Sequence, residues 1–203
     1  MPDMLDPKDL VPSYRYYVIT KIIEGDGAGT TSTLRYETVR DQSAEHAWKE
    51  DSSGKITELF IIIGSNRWTY IEGQGWVKQA PDASLKPYNV SAQITAAMKD
   101  RTASKASVQK FIQELKNNVY CSHFQVEYTV KMAVSNPSGS GTVDVDAHTI
   151  GELWIAETLG VPSIIMLWKG TTDYTLQGKK TVVYTEQSLY DIDRVPEIAP
   201  PKT

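Results

Sequence analysis

Segments rich in Tyr, Val, Ile and Thr recur along this chain, each closed by a cluster of Gly, Asn, Asp or Ser, and that rhythm constrains the fold more than any other feature. β-Branched and aromatic side chains fit a pleated, half-buried surface, and residues that tolerate positive φ reverse the chain between strands. Strands are expected over 14–24, 30–40, 45–50, 55–63, 68–72 and 76–78, and again over 119–132, 150–156, 163–168, 174–176 and 181–190. Turns are expected over 25–29, 51–54, 64–66, 73–75, 136–139, 159–160, 170–172 and 177–179. A turn spacing of roughly ten residues or more favours antiparallel meanders, because parallel pairs would need a crossover after every strand.

One stretch departs from the rhythm. Ser91 is placed to cap a short helix carrying Ile94, Ala97 and Met98, and Val108, Phe111, Ile112 and Leu115 follow the i, i+3, i+4, i+7 spacing of a second. Asn117-Asn118 suits the C-terminal end of such a helix. The spacing therefore predicts one helical interruption over 91–116 in an otherwise β chain. Roughly ten twisted strands tend to curl, and a curled sheet of that size leaves a hollow that an amphipathic segment or an apolar ligand can fill.

At 203 residues, with 40% hydrophobic and 23% charged side chains, the chain can bury one core without dividing. Residues 1–12 hold Pro2, Pro7 and Pro12 among several charges and read as a tether, leaving 13–203 as a single domain. The formal net charge of −4 is spread over both signs, so no basic stripe is available to neutralise phosphates and nucleic acid is not an expected partner. No apolar run approaches the roughly 20 residues that a spanning helix needs. The N-terminus lacks the basic and apolar regions of a signal peptide, so an export signal, if used, is expected to have been removed.

Candidate chemistry is sparse. The 25–29 run resembles a phosphate-cradling loop but lacks the Walker lysine and a following helix, so a hairpin turn is expected. Cys121 and His123 share a strand face, yet no orienting third group or metal-ligand spacing accompanies them. Asp144 and Asp146 also share a face, but two carboxylates fall short of the roughly six to eight oxygens that calcium takes. No catalytic residue, metal site or cofactor is expected, and the chain reads as a non-enzyme. Trp48, Trp68, Trp76, Trp154 and Trp168 are expected mostly in the core, with an exposed Trp68 and Trp76 platform for carbohydrate or protein as the alternative use.

The C-terminal third carries motifs. Gly151-Glu152-Leu153-Trp154-Ile155, the Gly160-Val161-Pro162 turn and the close Asp191-Ile192-Asp193-Arg194-Val195-Pro196-Glu197-Ile198-Ala199-Pro200 resemble the LolA/LolB/LppX-like lipoprotein superfamily, whose strands often read G-x-(L/V)-W-(V/I) and whose chains close on D-I-(N/D)-x-P-x-x-I-x-x-P. Asn118-Val119-Tyr120-Cys121-Ser122-His123-Phe124 is similar to that family's central strand, without the Gly that commonly follows the Asn. The resemblance implies a mainly β (α+β) fold, an incomplete antiparallel β-barrel of about 10 to 11 strands with a helical plug or lid in its opening. It also implies an exported protein of the periplasmic or extracellular cell envelope, lipid-anchored through a cysteine upstream of the tether, with a lipid, acyl chain or lipoprotein as partner. The expected ligand site lies between the concave sheet and the helices, walled by Met98, Phe111, Ile112, Leu115, Trp154, Met166 and Trp168.

Overall fold

A computed structural model describes residues 11–39, 44–80, 107–136, 139–158 and 161–202. Eleven strands follow in chain order: β1 (Ser13–Glu24), β2 (Thr30–Val39), β3 (Ala44–Glu50), β4 (Ile56–Ile63), β5 (Asn66–Ile71), β6 (Gly75–Gln79), β7 (Ser107–Lys116), β8 (Val119–Ser135), β9 (Thr142–Thr158), β10 (Val161–Leu176) and β11 (Lys179–Tyr190). They form one sheet in the order β6-β5-β4-β3-β2-β1-β11-β10-β9-β8-β7, and its neighbours all pair antiparallel. Among the described residues β6 and β7 end the order without pairing to each other, so the sheet is not closed into a barrel. Two meanders, β1 to β6 and β7 to β11, are joined along the central β1–β11 seam.

Two expectations are overturned here. The 107–116 half of the expected helical plug is strand β7, which pairs with β8 from Ser107↔Glu127 to Lys116↔Val119. No helix occurs among the described residues, and the 91–106 half, with Met98, lies outside them. The misleading spacing has a local cause: between Lys110↔Phe124 and Gln113↔Ser122 the β7 strand spends three steps against two on β8, a bulge holding Phe111 and Ile112. One extra residue turns a period of two into apolar positions that imitate a helix. Asn117 and Asn118 (φ 49° and 64°) are not a helix end but a two-residue hairpin turn of the kind that needs both central residues left-handed.

The expected turn over 170–172 is the second correction, since β10 runs unbroken through it. Gly170 pairs with Gly151 on β9, and the Trp168 indole lies across both. A Cβ on Gly170 would fall 2.3 Å from Trp168 Cζ2, and one on Gly151 2.4 Å from its Cη2. These glycines are where an aromatic ring packs directly on backbone, not where the chain reverses.

Paired residues share a face and faces alternate along each strand, which separates the sheet into an apolar and a polar side. Over much of β8 and β9 burial alternates: Val126, Tyr128, Val145, Ala147 and Leu153 are buried, whereas Gln125, Glu127, Asp144, Asp146 and Glu152 are exposed; toward the β7 end both sides are buried, through Cys121 to His123 and Leu153 to Ala156. The apolar side gathers Val18, Val126, Tyr128, Leu153, Ile155, Ile165 and Trp168 into one cluster drawn from β1, β8, β9 and β10. On β3 to β5 the other side also turns apolar, and Ala44, Ile61 and Trp68 there are covered by Ile198 of the C-terminal segment. That segment is fastened where it leaves the sheet: Asp193 N donates to Ser13 O (2.9 Å), Val195 N to Ser13 Oγ (3.2 Å), and Arg15 binds Asp191 (2.7 Å).

Candidate functional site

The apolar side does not end with its packed cluster. By register, Leu34 on β2, Phe60 and Ile62 on β4 and Val77 on β6 continue it toward one end of the sheet, and all four are half-buried. At the other end Leu115 and Tyr120 face each other across β7 and β8 and are 56% and 69% exposed. Apolar area left partly in water at both ends of a packed face can take an apolar ligand. Within this surface Phe60 and Ile62 are neighbours of Arg67 on β5, whose guanidinium carbon stands 4.9 Å from the Phe60 ring centre.

The polar side holds a different arrangement near β7. His123 stacks on Trp154 at 4.3 Å with 12° between the rings, and Phe111 lies 5.0 Å away on its edge strand. Glu114 ties the group together, accepting from the Trp154 indole (3.2 Å) and meeting His123 Nδ1 (2.9 Å) and Lys116 Nζ (2.9 Å). Lys116 and the Trp154 N–H hold the Glu114 carboxyl below its usual range. The other histidines also face carboxylates, His46 on Glu37 and His148 between Glu127 and Asp173. These pairings orient rings and pin strands; none aims an imidazole at a serine or cysteine as nucleophilic catalysis requires.

The expected wall residues therefore separate. Phe111 and Trp154 meet on the polar side through His123, and Met166, fully buried, packs in the cluster with Trp154 and Cys121. Trp168 belongs to the apolar cluster instead. Ile112 is 85% exposed, Leu115 reaches the apolar rim, and Met98 is outside the described residues. Trp68, half of the alternative aromatic platform, is buried beneath Ile198 and Lys78. A shallow depression of 420 Å³ lies on the polar side, lined among others by Ile19, Ile150 and Tyr184 with Lys21, Lys169, Glu152 and Glu186. Its charges balance and Lys169 already pairs with Glu186 at 3.1 Å.

Sequence reading missed Phe60, Ile62 and Arg67. The 55–63 segment was legible as a strand, but the side that Phe60 faces depends on pairing to β3 and β5, which no local pattern supplies.

No family model and no curated protein matches the chain. Among solved structures, it is similar to LprF from Mycobacterium bovis, at 12% identity and a TM-score of 0.40 over 97% of this chain and 91% of that one. It is also similar to the LolA superfamily protein NE2245 from Nitrosomonas europaea, at 10% identity and a TM-score of 0.33 over 89% of this chain and 87% of that one.

Proposed function

We propose that this chain is a non-enzymatic carrier or sensor that holds an apolar ligand, a lipid or acylated peptide, against the apolar side of its open sheet. The observation that carries the reading is the continuation of that side, past Leu34 at the cluster's border, through half-buried Phe60, Ile62 and Val77 and exposed Leu115 and Tyr120. Export to the cell envelope and a lipid anchor upstream belong to the same reading and rest on the sequence motifs. The ligand is no longer placed against a helix ending at Leu115, because that segment is β7.

A saturated acyl chain tests this. Each methylene moved out of water contributes about 0.8 kcal/mol, so lengthening a bound chain by two carbons should tighten binding roughly tenfold. Displacement of a fluorescent fatty acid by chains of increasing length measures it, with Phe60→Asp and Ile62→Asp expected to weaken every member. Affinity independent of chain length, or no binding at all, would overturn the carrier reading.

A further inference from the structure

We propose that the ligand on the apolar side ends in an anionic group, a carboxylate or phosphate, and that Arg67 receives it; this rests on the carrier reading and specifies its ligand. Arg67 projects from β5 between Ile62 on β4 and Gln79 on β6, its register partners on that face. Its Nε is buried with no hydrogen-bond acceptor, and among the described residues its guanidinium forms no ion pair. The polar-side arginines differ: Arg15 meets Glu37 and Asp191, and Arg35 meets Glu50. Glu45 lies across Ile62 on the same face and is engaged in an interaction of its own.

A guanidinium stays charged at every physiological pH and carries five donors in one plane. The guanidinium carbon stands over the Phe60 ring, a cation–π contact that uses none of its donors, and a carboxylate or phosphate can satisfy such donors with two parallel hydrogen bonds. An enclosed donor without an acceptor is a group that a ligand can satisfy. Position fits the role as well. Among the described residues Arg67 lies one strand in from β6, the end of the sheet, so a headgroup held there leaves its tail to lie over half-buried Phe60 and Ile62 on β4.

The test titrates the full chain with palmitic acid and with hexadecanol, equal in length and different only at the head, at about pH 8 where the acid is ionised. The acid is expected to bind about tenfold tighter than the alcohol, the worth of a charge-assisted hydrogen bond. Arg67→Gln should remove that preference while hexadecanol affinity changes less than about twofold, and Arg67→Lys should restore part of it. Inorganic phosphate should not displace the acid; displacement by phosphate alone would mean a general anion site and overturn the inference. Equal binding of acid and alcohol, or equal losses for both in Arg67→Gln, would also overturn it and leave the carrier reading intact. Failure of both amphiphiles to bind removes the carrier reading and this inference with it. If Arg67→Gln does not fold, the comparison in the unmodified chain decides alone.

Discussion

Gly170→Ala offers a sharp test of how this sheet is packed. In an ordinary strand, alanine is favoured over glycine by roughly 0.5–1 kcal/mol, because glycine loses more freedom on folding. Here the new Cβ would sit 2.3, 2.7 and 3.0 Å from Cζ2, Cε2 and Nε1 of Trp168, so all three nearest atoms belong to one indole. That indole is 5% exposed and packed among Val18, Leu153 and Ile165, with little room to retreat. Overpacking of this kind costs about 1–3 kcal/mol, which reverses the usual sign. In a chain of 203 residues the loss lowers the melting temperature by about 2–4 °C per kcal/mol. Urea denaturation followed by tryptophan fluorescence gives the free energy, and a double-mutant cycle gives the cause. In a Trp168→Leu background the obstructing ring is gone, so Gly170→Ala should become neutral or stabilising, a coupling of about 2–3 kcal/mol. A stabilising Gly170→Ala in the unmodified chain, or additive effects in the cycle, would refute the account of the ring resting on backbone.

Three further outcomes follow from the contacts. Burial works against the charged Glu37, but Arg15 and His46 outweigh it and hold its carboxyl below the usual range; the stability it adds is present above the unfolded-state value and is lost as pH falls through the lower folded one. Glu37→Gln should cost about 1–2 kcal/mol at neutral pH and flatten the acid limb of a stability profile; an unchanged limb would contradict this. His148 is raised by its hydrogen bond to Glu127 and by Asp173, so its contribution is complete below the unfolded-state value and fades as pH climbs through the folded one, with NMR titration expected to place it above a free histidine and a value below that counting against the pairing. Ile198→Ala opens the cluster with Ala44, Ile61 and Trp68 and should cost about 2–3 kcal/mol, with faster amide exchange across β3 to β5 as the local signature and unchanged exchange as the contrary result.

Strand composition was the legible part of this fold, and long-range pairing was not. The segments around Tyr16, Ile61, Val126 and Leu189 announced themselves through β-branched and aromatic residues between turn signals, and the structure places each in a strand. Phe111 and Ile112 misled because a bulge shifts the phase of alternation, and a bulge is set by the partner strand rather than by local composition. Gly170 read as a turn because glycine serves both for reversing a chain and for letting a ring approach; only the Gly151 pairing tells the two apart. For the site, aromatic content was visible but facing was not. Trp154 and Trp168 lie on opposite sides because β10 carries a register irregularity between Ile165 and Leu167, and one extra residue moves every later side chain to the other face.

The central seam also governs how the chain can assemble. Ten registered pairs, from Arg15↔Tyr190 to Glu24↔Thr181, join the first strand to the last, whereas every other pairing joins strands consecutive in the chain. Each meander can form from local contacts as soon as it is synthesised, but the seam must await the final strand and must close the longest loop available. Until then β1 and β11 are unpaired edges carrying Tyr, Val and Ile, ready to pair with any other extended chain. A nascent chain of this topology is therefore vulnerable to misassociation until β11 has emerged, and a holdase that masks β1 until then would protect it at the right moment.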